Sequence, residues 1–236
     1  MRSKLREPFL VIPDRLITEG EESHLTEIEL YLYSLLLKKR NYEGVTETCI
    51  SFIEETCPIE MGSSRQRSIE LIKKTLLSLA DKKVLKICSA KGEILNEFKP
   101  SELIVIIFGK SRIKGHTEVD YKKVDSFTSL SDYYVYVVVA RFKNSGNGSF
   151  NCSYCRWAKI LRVSEKTAKT KVNKAVEKEI IYKNIGNYRD DDSLGGAQKK
   201  QEKNSYRITP YKKHEKTIMT NRNELITSTE NVANLF

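Results

Sequence analysis

Two well-separated stretches of the chain share one pattern, and this repeat constrains the fold more than any other feature. Leu25-Thr-Glu-Ile-Glu-Leu-Tyr-Leu-Tyr matches Leu130-Ser-Asp-Tyr-Tyr-Val-Tyr-Val-Val as Leu, hydroxyl, acid, apolar or aromatic, and so on to a shared Tyr31/Tyr136. Self-similarity of this kind marks duplication of one structural unit. In the first copy Leu25, Ile28, Leu32, Leu35 and Leu36 recur at helical spacing, and Thr26-x-x-Glu29 supplies a capping box. A buried helix over about 25–40 follows. In the second copy Leu130, Tyr133, Tyr134, Val137 and Val138 keep that spacing. Its Val-rich centre would also suit a strand, but Ser129-x-x-Asp132 favours a helix over about 129–143.

Each copy continues in the same order. In the second, Tyr154–Leu161 reads as a short helix, Arg162-Val-Ser-Glu as a turn and Ser164 as the N-cap of a third helix with an apolar stripe of Ala168, Val172, Ala175 and Val176. Ile180-Ile-Tyr-Lys-Asn-Ile and Ser205-Tyr-Arg-Ile then form a hairpin with a long polar tip containing Asp190, Asp191, Asp192, Gly195, Gly196, Lys199 and Lys200. In the first copy Ile50–Thr56 is the second helix, Pro58 and Gly62 mark the turn, and a third helix over about 63–83 carries Ile69, Ile72, Leu76 and Leu79. Val84-Leu-Lys-Ile-Cys and Glu93-Ile-Leu-Asn-Glu-Phe are predicted to pair as a hairpin across Ala90-Lys-Gly92, and Leu103-Ile-Val-Ile-Ile-Phe adds an apolar strand. The first copy carries an insertion near its turn.

This organisation predicts a first domain over 1–110, a linker over 111–127, a second domain over 128–211 and a polar tail over 212–236. A chain of 236 residues with 39% hydrophobic and 31% charged residues can bury a core in each domain. No apolar run is long enough for a membrane span, and Met1-Arg-Ser-Lys-Leu-Arg does not open a signal peptide, so the expected location is the cytoplasm. Five cysteines, an odd number, fit reduced thiols better than a disulfide framework.

Charge divides unevenly between the copies. Residues 1–110 hold 17 Lys+Arg and 17 Asp+Glu, whereas 111–236 hold 24 and 14, so the whole net charge of +10 lies in the second half. Between Arg141 and Lys174 stand Arg141, Lys143, Arg156, Lys159, Arg162, Lys166, Lys169, Lys171 and Lys174 against the single acid Glu165. That concentration points to a polyanionic partner.

A helix, a helix-turn-helix and a hairpin, used twice, resemble two tandem winged helix-turn-helix domains, a mainly α fold with small β-sheets. A duplicated winged helix of this length resembles plasmid and phage replication initiators. Phe9-Leu-Val-Ile-Pro13, followed by Leu25-Thr-x-x-Glu29-x-Tyr31-x-x-Ser34-Leu-Leu, is similar to the start of replisome-organiser and DnaD-like primosomal domains. The resemblance covers about 9–108 and 128–210. It implies that the third helix of each domain enters the major groove and the hairpin tip lies along the backbone or minor groove.

On that reading Lys166, Thr167, Lys169, Thr170 and Asn173 face DNA in the second domain, flanked by Arg162 and Lys174. Asn pairs bidentately with adenine, Thr meets the thymine methyl, and Lys meets guanine or phosphate. The first-domain counterparts are Ser63, Ser64, Arg65, Gln66 and Arg67. Lys199, Lys200, Lys203 and Arg207 on the wing would hold phosphates. A solvated helix face is the alternative for each set.

Other chemistries have little support. Cys152-Ser-Tyr-Cys155 has zinc-knuckle spacing but no second pair at a matching distance, and three consecutive carboxylates do not form a metal loop, so no metal or other cofactor is expected. Trp157 is expected in the core. There is no Gly-x-x-x-x-Gly-Lys loop and no Gly-x-Ser-x-Gly, and the tyrosines lack the His cluster of a nicking enzyme, so an enzyme is not expected. The expected function is sequence-specific binding of double-stranded DNA, as a replication initiator that recruits replication proteins. A transcriptional regulator or partition protein has the same chemistry. From another class, a protein-interaction scaffold fits the neutral first half, whose acids Glu19, Glu21, Glu22, Glu27 and Glu29 suit a dimer or partner interface.

Overall fold

The helices begin where side-chain oxygens satisfy the free amides of a first turn. In the computed structural model, which describes residues 8–109, 115–190 and 199–210 and only the backbone of 188–190 and 199–201, α1 (Glu27–Lys38) opens on the expected capping box. The Thr26 amide donates to Glu29 Oε2 at 2.7 Å, and Thr26 Oγ1 accepts from the Glu29 amide at 3.4 Å. The Val-rich segment is also a helix, α5 (Leu130–Ala140), capped by Ser129. Its β-branched residues do not make it a strand because nearly every side of it is buried, which a central helix tolerates.

The described residues form a mixed α and β fold in which one order of elements occurs twice. The first unit runs α1, β2 (Val45–Thr48), α2 (Ile50–Thr56), α3 (Arg65–Asp81), β3 (Leu85–Cys88) and β4 (Ile104–Phe108). The second runs α5, β6 (Phe150–Cys152), α6 (Tyr154–Leu161), α7 (Glu165–Glu177), β7 (Tyr182–Asn184) and β10 (Asn204–Arg207). Both sheets are antiparallel with the last strand in the middle, β2-β4-β3 and β6-β10-β7. The long tip between β7 and β10 includes the pair β8 (Tyr188–Asp190) and β9 (Lys199–Gln201), with Arg189 opposite Lys200. Asp191, Asp192, Gly195 and Gly196, and the tail over 212–236, lie outside the described residues.

Three details depart from the sequence reading. Strands β2 and β6, too short to announce themselves by periodicity, complete each sheet. The segment 93–98 is not a hairpin strand: it meets β3 through a single bridge, Cys88 to Ile94, and the full partner of β3 is β4. Burial of Ile104 and Ile106 on the core side of β4 outweighs the local turn signal at Ala90-Lys-Gly92. The third concerns the repeat register. Thr26 and Ser129 cap α1 and α5, and Glu29 and Asp132 hold the same third position, so Tyr31 corresponds to Tyr134 rather than Tyr136.

An ion pair present in both units supports that register. Lys82, the C-cap of α3, lies 2.6 Å from Glu29, and Lys178, the C-cap of α7, lies 2.6 Å from Asp132. Beyond each C-cap a non-glycine residue, Lys83 (φ 56°) or Glu179 (φ 55°), turns left-handed. The Val84 and Ile180 amides then return to the Leu79 and Ala175 carbonyls at 3.0 and 2.9 Å.

The two units join along a reciprocal seam. The segment between them carries β5 (His116–Asp120) and α4 (Tyr121–Ser126), and β5 pairs antiparallel with β1 (Phe9–Pro13), the strand preceding the first unit. Helices α1 and α5 pack together, with Tyr31 edge-on to Tyr133 at 5.3 Å. Lys38, ending α1, pairs with Asp125 of α4; Arg141, the C-cap of α5, pairs with Asp14 at 3.1 Å. Buried residues of both units form one contiguous core.

Candidate nucleic-acid interface

Seven of the nine basic residues between Arg141 and Lys174 are carried by α6, a tight turn and α7. Trp157 of α6 is fully buried, edge-on to Phe150 of β6 at 5.2 Å and Tyr206 of β10 at 5.6 Å, and so anchors this helix to its sheet. Arg162 ends α6 in the left-handed region (φ 54°), and the Val163 amide bonds the Ala158 carbonyl at 3.0 Å. Ser164 then caps α7 by accepting from the Thr167 amide at 3.2 Å. Ala168, Val172 and Ala175 bury one stripe of α7, which leaves Lys166, Thr170 and Glu177 on the opposite face.

The expected contact residues divide into three groups. Lys166, Lys169, Thr170 and Lys174 are exposed, and no carboxylate among the described residues lies within ion-pair reach of these three lysines. The Thr170 hydroxyl donates to the Lys166 carbonyl at 3.0 Å, and the Thr167 and Ser164 hydroxyls meet at 2.8 Å. Asn173, by contrast, is half-buried, and its Oδ1 accepts from the Tyr154 hydroxyl at 2.9 Å. Tyr154 in turn accepts from Lys183 of β7 at 2.8 Å, and the Lys183 and Lys169 ammonium groups stand over its ring at 5.2 and 5.9 Å. Nothing local in the sequence marks Tyr154 and Lys183, because their partners lie on other elements. Arg162 is turned towards the other unit and donates to the His24 carbonyl at 3.2 Å.

The first unit presents a different face. Helix α3 is one turn longer than α7 at its N-terminus, so with the C-caps Lys82 and Lys178 aligned, buried Ile72, Leu76 and Leu79 fall on Ala168, Val172 and Ala175. Glu70, Lys74, Leu77 and Asp81 then stand where α7 has Lys166, Thr170, Asn173 and Glu177. Ser64, Arg65, Gln66 and Arg67 are exposed but lie on the extra turn, and are not the structural counterparts of the α7 residues. Ser64 caps α3, Arg65 pairs with Glu54 of α2 at 3.3 Å, Gln66 donates to Glu70 at 2.9 Å, and Arg67 donates to Ser63 at 2.7 Å.

On the hairpin, Lys199 and Lys200 belong to β9, whose side chains lie outside the described residues. Lys203 is exposed and Arg207 is half-buried on β10. Cys152 is buried, its thiol donates to the Ser153 carbonyl at 3.3 Å, and burial pushes it up to about 12, whereas Cys155 is exposed. Among the described residues no three His, Cys, Asp or Glu side chains group as metal ligands, and no helix is long and apolar enough to cross a membrane. No protein-family model and no curated protein matches the chain.

Proposed function

We propose that the protein binds double-stranded DNA sequence-specifically through two tandem winged helix-turn-helix units, the second unit doing most of the reading, and that it acts as a replication initiator of plasmid or phage type. The observation that carries this reading is the outward face of α7. It offers Lys166, Thr170 and Lys174, with Glu177 at its C-terminal end and no ion pair to these two lysines among the described residues, and it ends a two-helix motif that runs on into the β7–β10 hairpin. A helix matches the width of the major groove, and cations beside it neutralise phosphate. Fluorescence anisotropy on duplex DNA from 50 to 200 mM salt tests it: affinity falls by orders of magnitude if about six or more phosphates are contacted. An affinity that does not respond to salt would overturn the reading. A plasmid or phage origin with direct repeats beside the gene supports initiation, and a divergent promoter supports transcriptional regulation.

One observation favours a second role for the first unit. On the outer face of its sheet Val105 is half-exposed and Ile107 exposed, with Leu103 exposed just before the strand. The matching strand of the second unit has Ser205 and Arg207 there. With the mixed outward face of α3, this apolar surface supports self-association or a protein partner through the first unit.

A further inference from the structure

We propose that the acidic segment over 14–27 is an internal competitor for DNA: its carboxylates occupy cations of the second unit that duplex phosphates displace them from. This inference rests on the DNA-binding reading above and adds a regulation to it. Three of the nine basic residues between Arg141 and Lys174 are ion-paired to this one segment. Asp14 holds Arg141 at 3.1 Å, Glu19 holds Arg156 at 3.2 Å, and Glu27 holds Lys171 at 2.5 Å. Arg162 is engaged by a carbonyl of the same segment, and the Arg141 guanidinium also donates to Thr18 at 2.7 Å. Glu19, Glu21, His24, Lys159 and Arg162 line an open cleft of about 500 Å³ where the segment meets α6 and its turn.

The positions of these cations give the pairs a consequence for binding. Lys171 lies within α7, one turn from Thr167 and Lys174, and Arg156 lies in the first turn of α6. Cations beside a reading helix are placed to meet the phosphates on either side of the groove. The pairs are also partly open to water: the Arg156 side chain is 48% exposed and its Glu19 partner 33%. Such pairs are individually weak, and a dense line of phosphates competes well for their cations. Linkage makes the competition reciprocal, so the contact that holds the segment down lowers DNA affinity, and bound DNA loosens the segment.

The test uses the full chain and a random-sequence duplex. Glu19→Gln with Glu27→Gln is compared with Glu43→Gln with Glu47→Gln, which removes the same charge from exposed sites of the first unit. The Glu19 and Glu27 double variant is expected to bind roughly three- to tenfold tighter than the control variant. Because duplex phosphates reach the same cations in both proteins once DNA is bound, the two salt slopes are expected to agree. Equal affinities in the two variants overturn the competition and leave the DNA reading standing. Absence of duplex binding in the wild-type protein at low salt overturns the DNA reading, and the competition with it. Hydrogen exchange on the wild-type chain removes any dependence on variant folding. The His24 and Leu25 amides bond the Glu21 and Leu16 carbonyls at 3.0 and 2.8 Å. Saturating duplex is expected to speed their exchange, and unchanged exchange with DNA bound overturns the proposal.

Discussion

Glu29 accepts from Lys82 at 2.6 Å across the gap between the start of α1 and the end of α3, and it does so while almost fully buried. Burial alone would raise the Glu29 carboxyl, yet the donors Lys82, Ser78 and the Thr26 amide outweigh it and hold the group below its ordinary value. The Ser78 hydroxyl reaches the second carboxylate oxygen at 2.6 Å. The pair thus closes the first unit at the point where its first and third helices meet, and Asp132 with Lys178 does the same in the second.

Removing the cation should hurt the first unit more. Lys82→Met leaves Glu29 charged and enclosed, and urea unfolding should show a loss of roughly 3 kcal/mol. Lys178→Met also strands a buried carboxylate, Asp132 at 8% exposed, but Lys178 itself is 53% exposed and water can take its place, so the loss should be smaller, roughly 1–2 kcal/mol. Equal losses would mean that the two pairs are not distinguished by burial.

Stability should fall on mild acidification because of His24. Its imidazole is buried and meets the Tyr134 hydroxyl at 2.8 Å; burial, then the charges of Arg162 and Lys82, holds it down from 6.5 to about 4. The folded chain therefore resists a proton that the unfolded chain accepts. The His24 contribution is complete above pH 6.5 and is lost as pH falls towards 4, at up to about 1.4 kcal/mol per pH unit. Urea midpoints at pH 7, 6 and 5 check this, and His24→Asn should flatten the dependence over that window.

Base reading should be concentrated on α7. Thr170→Ala and Lys166→Ala should each lower discrimination between a selected and a random duplex by roughly 1–3 kcal/mol where a base is contacted. Lys74→Ala, at the position of α3 that corresponds to Thr170, should leave discrimination unchanged. Competition anisotropy measures both, and an equal loss at Lys74 would assign reading to both units.

Asn173 should behave differently from its neighbours. Because its Oδ1 is held by Tyr154, Asn173→Ala removes a hydrogen-bond partner inside the unit, and thermal melting should show a loss of about 1 kcal/mol without DNA. Tyr154→Phe should reproduce that loss. A melting temperature unchanged in both variants would show that the hydrogen bond contributes nothing in solution.

The exposed strand of the first unit can be tested by borrowing from the second. Ile107→Arg places on β4 the residue that β10 has at the matching position, Arg207. Sedimentation equilibrium should show weaker self-association with the unfolding midpoint within about 0.5 kcal/mol of wild type. Unchanged association would exclude this face as the contact.

Much of the helical scaffold was legible because helix ends are local events. Thr26, Ser64, Ser129 and Ser164 each satisfy an amide three residues away, and the apolar stripe of α7 is written in Ala168, Val172 and Ala175. The concentration of cations around α6 and α7 was equally visible, since charge needs no partner to be counted. The strands were less so. A three-residue strand such as β6 exists only because Cys152 finds Asn204 and Phe150 finds Tyr206 far along the chain.

By itself, then, the sequence determined that two copies of one helical unit follow each other and that the second is basic. Only the tertiary structure decided which cations remain free. Lys171 and Glu27 are 144 positions apart, and Arg162 and the His24 carbonyl 138. No periodicity encodes such a contact, because it depends on how β1, β5, α1 and α5 bury their apolar faces against one another. The same packing set the repeat register, pairing Glu29 with Lys82 and Asp132 with Lys178 through the lengths of the third helices rather than through the resemblance of residues near Leu25 and Leu130.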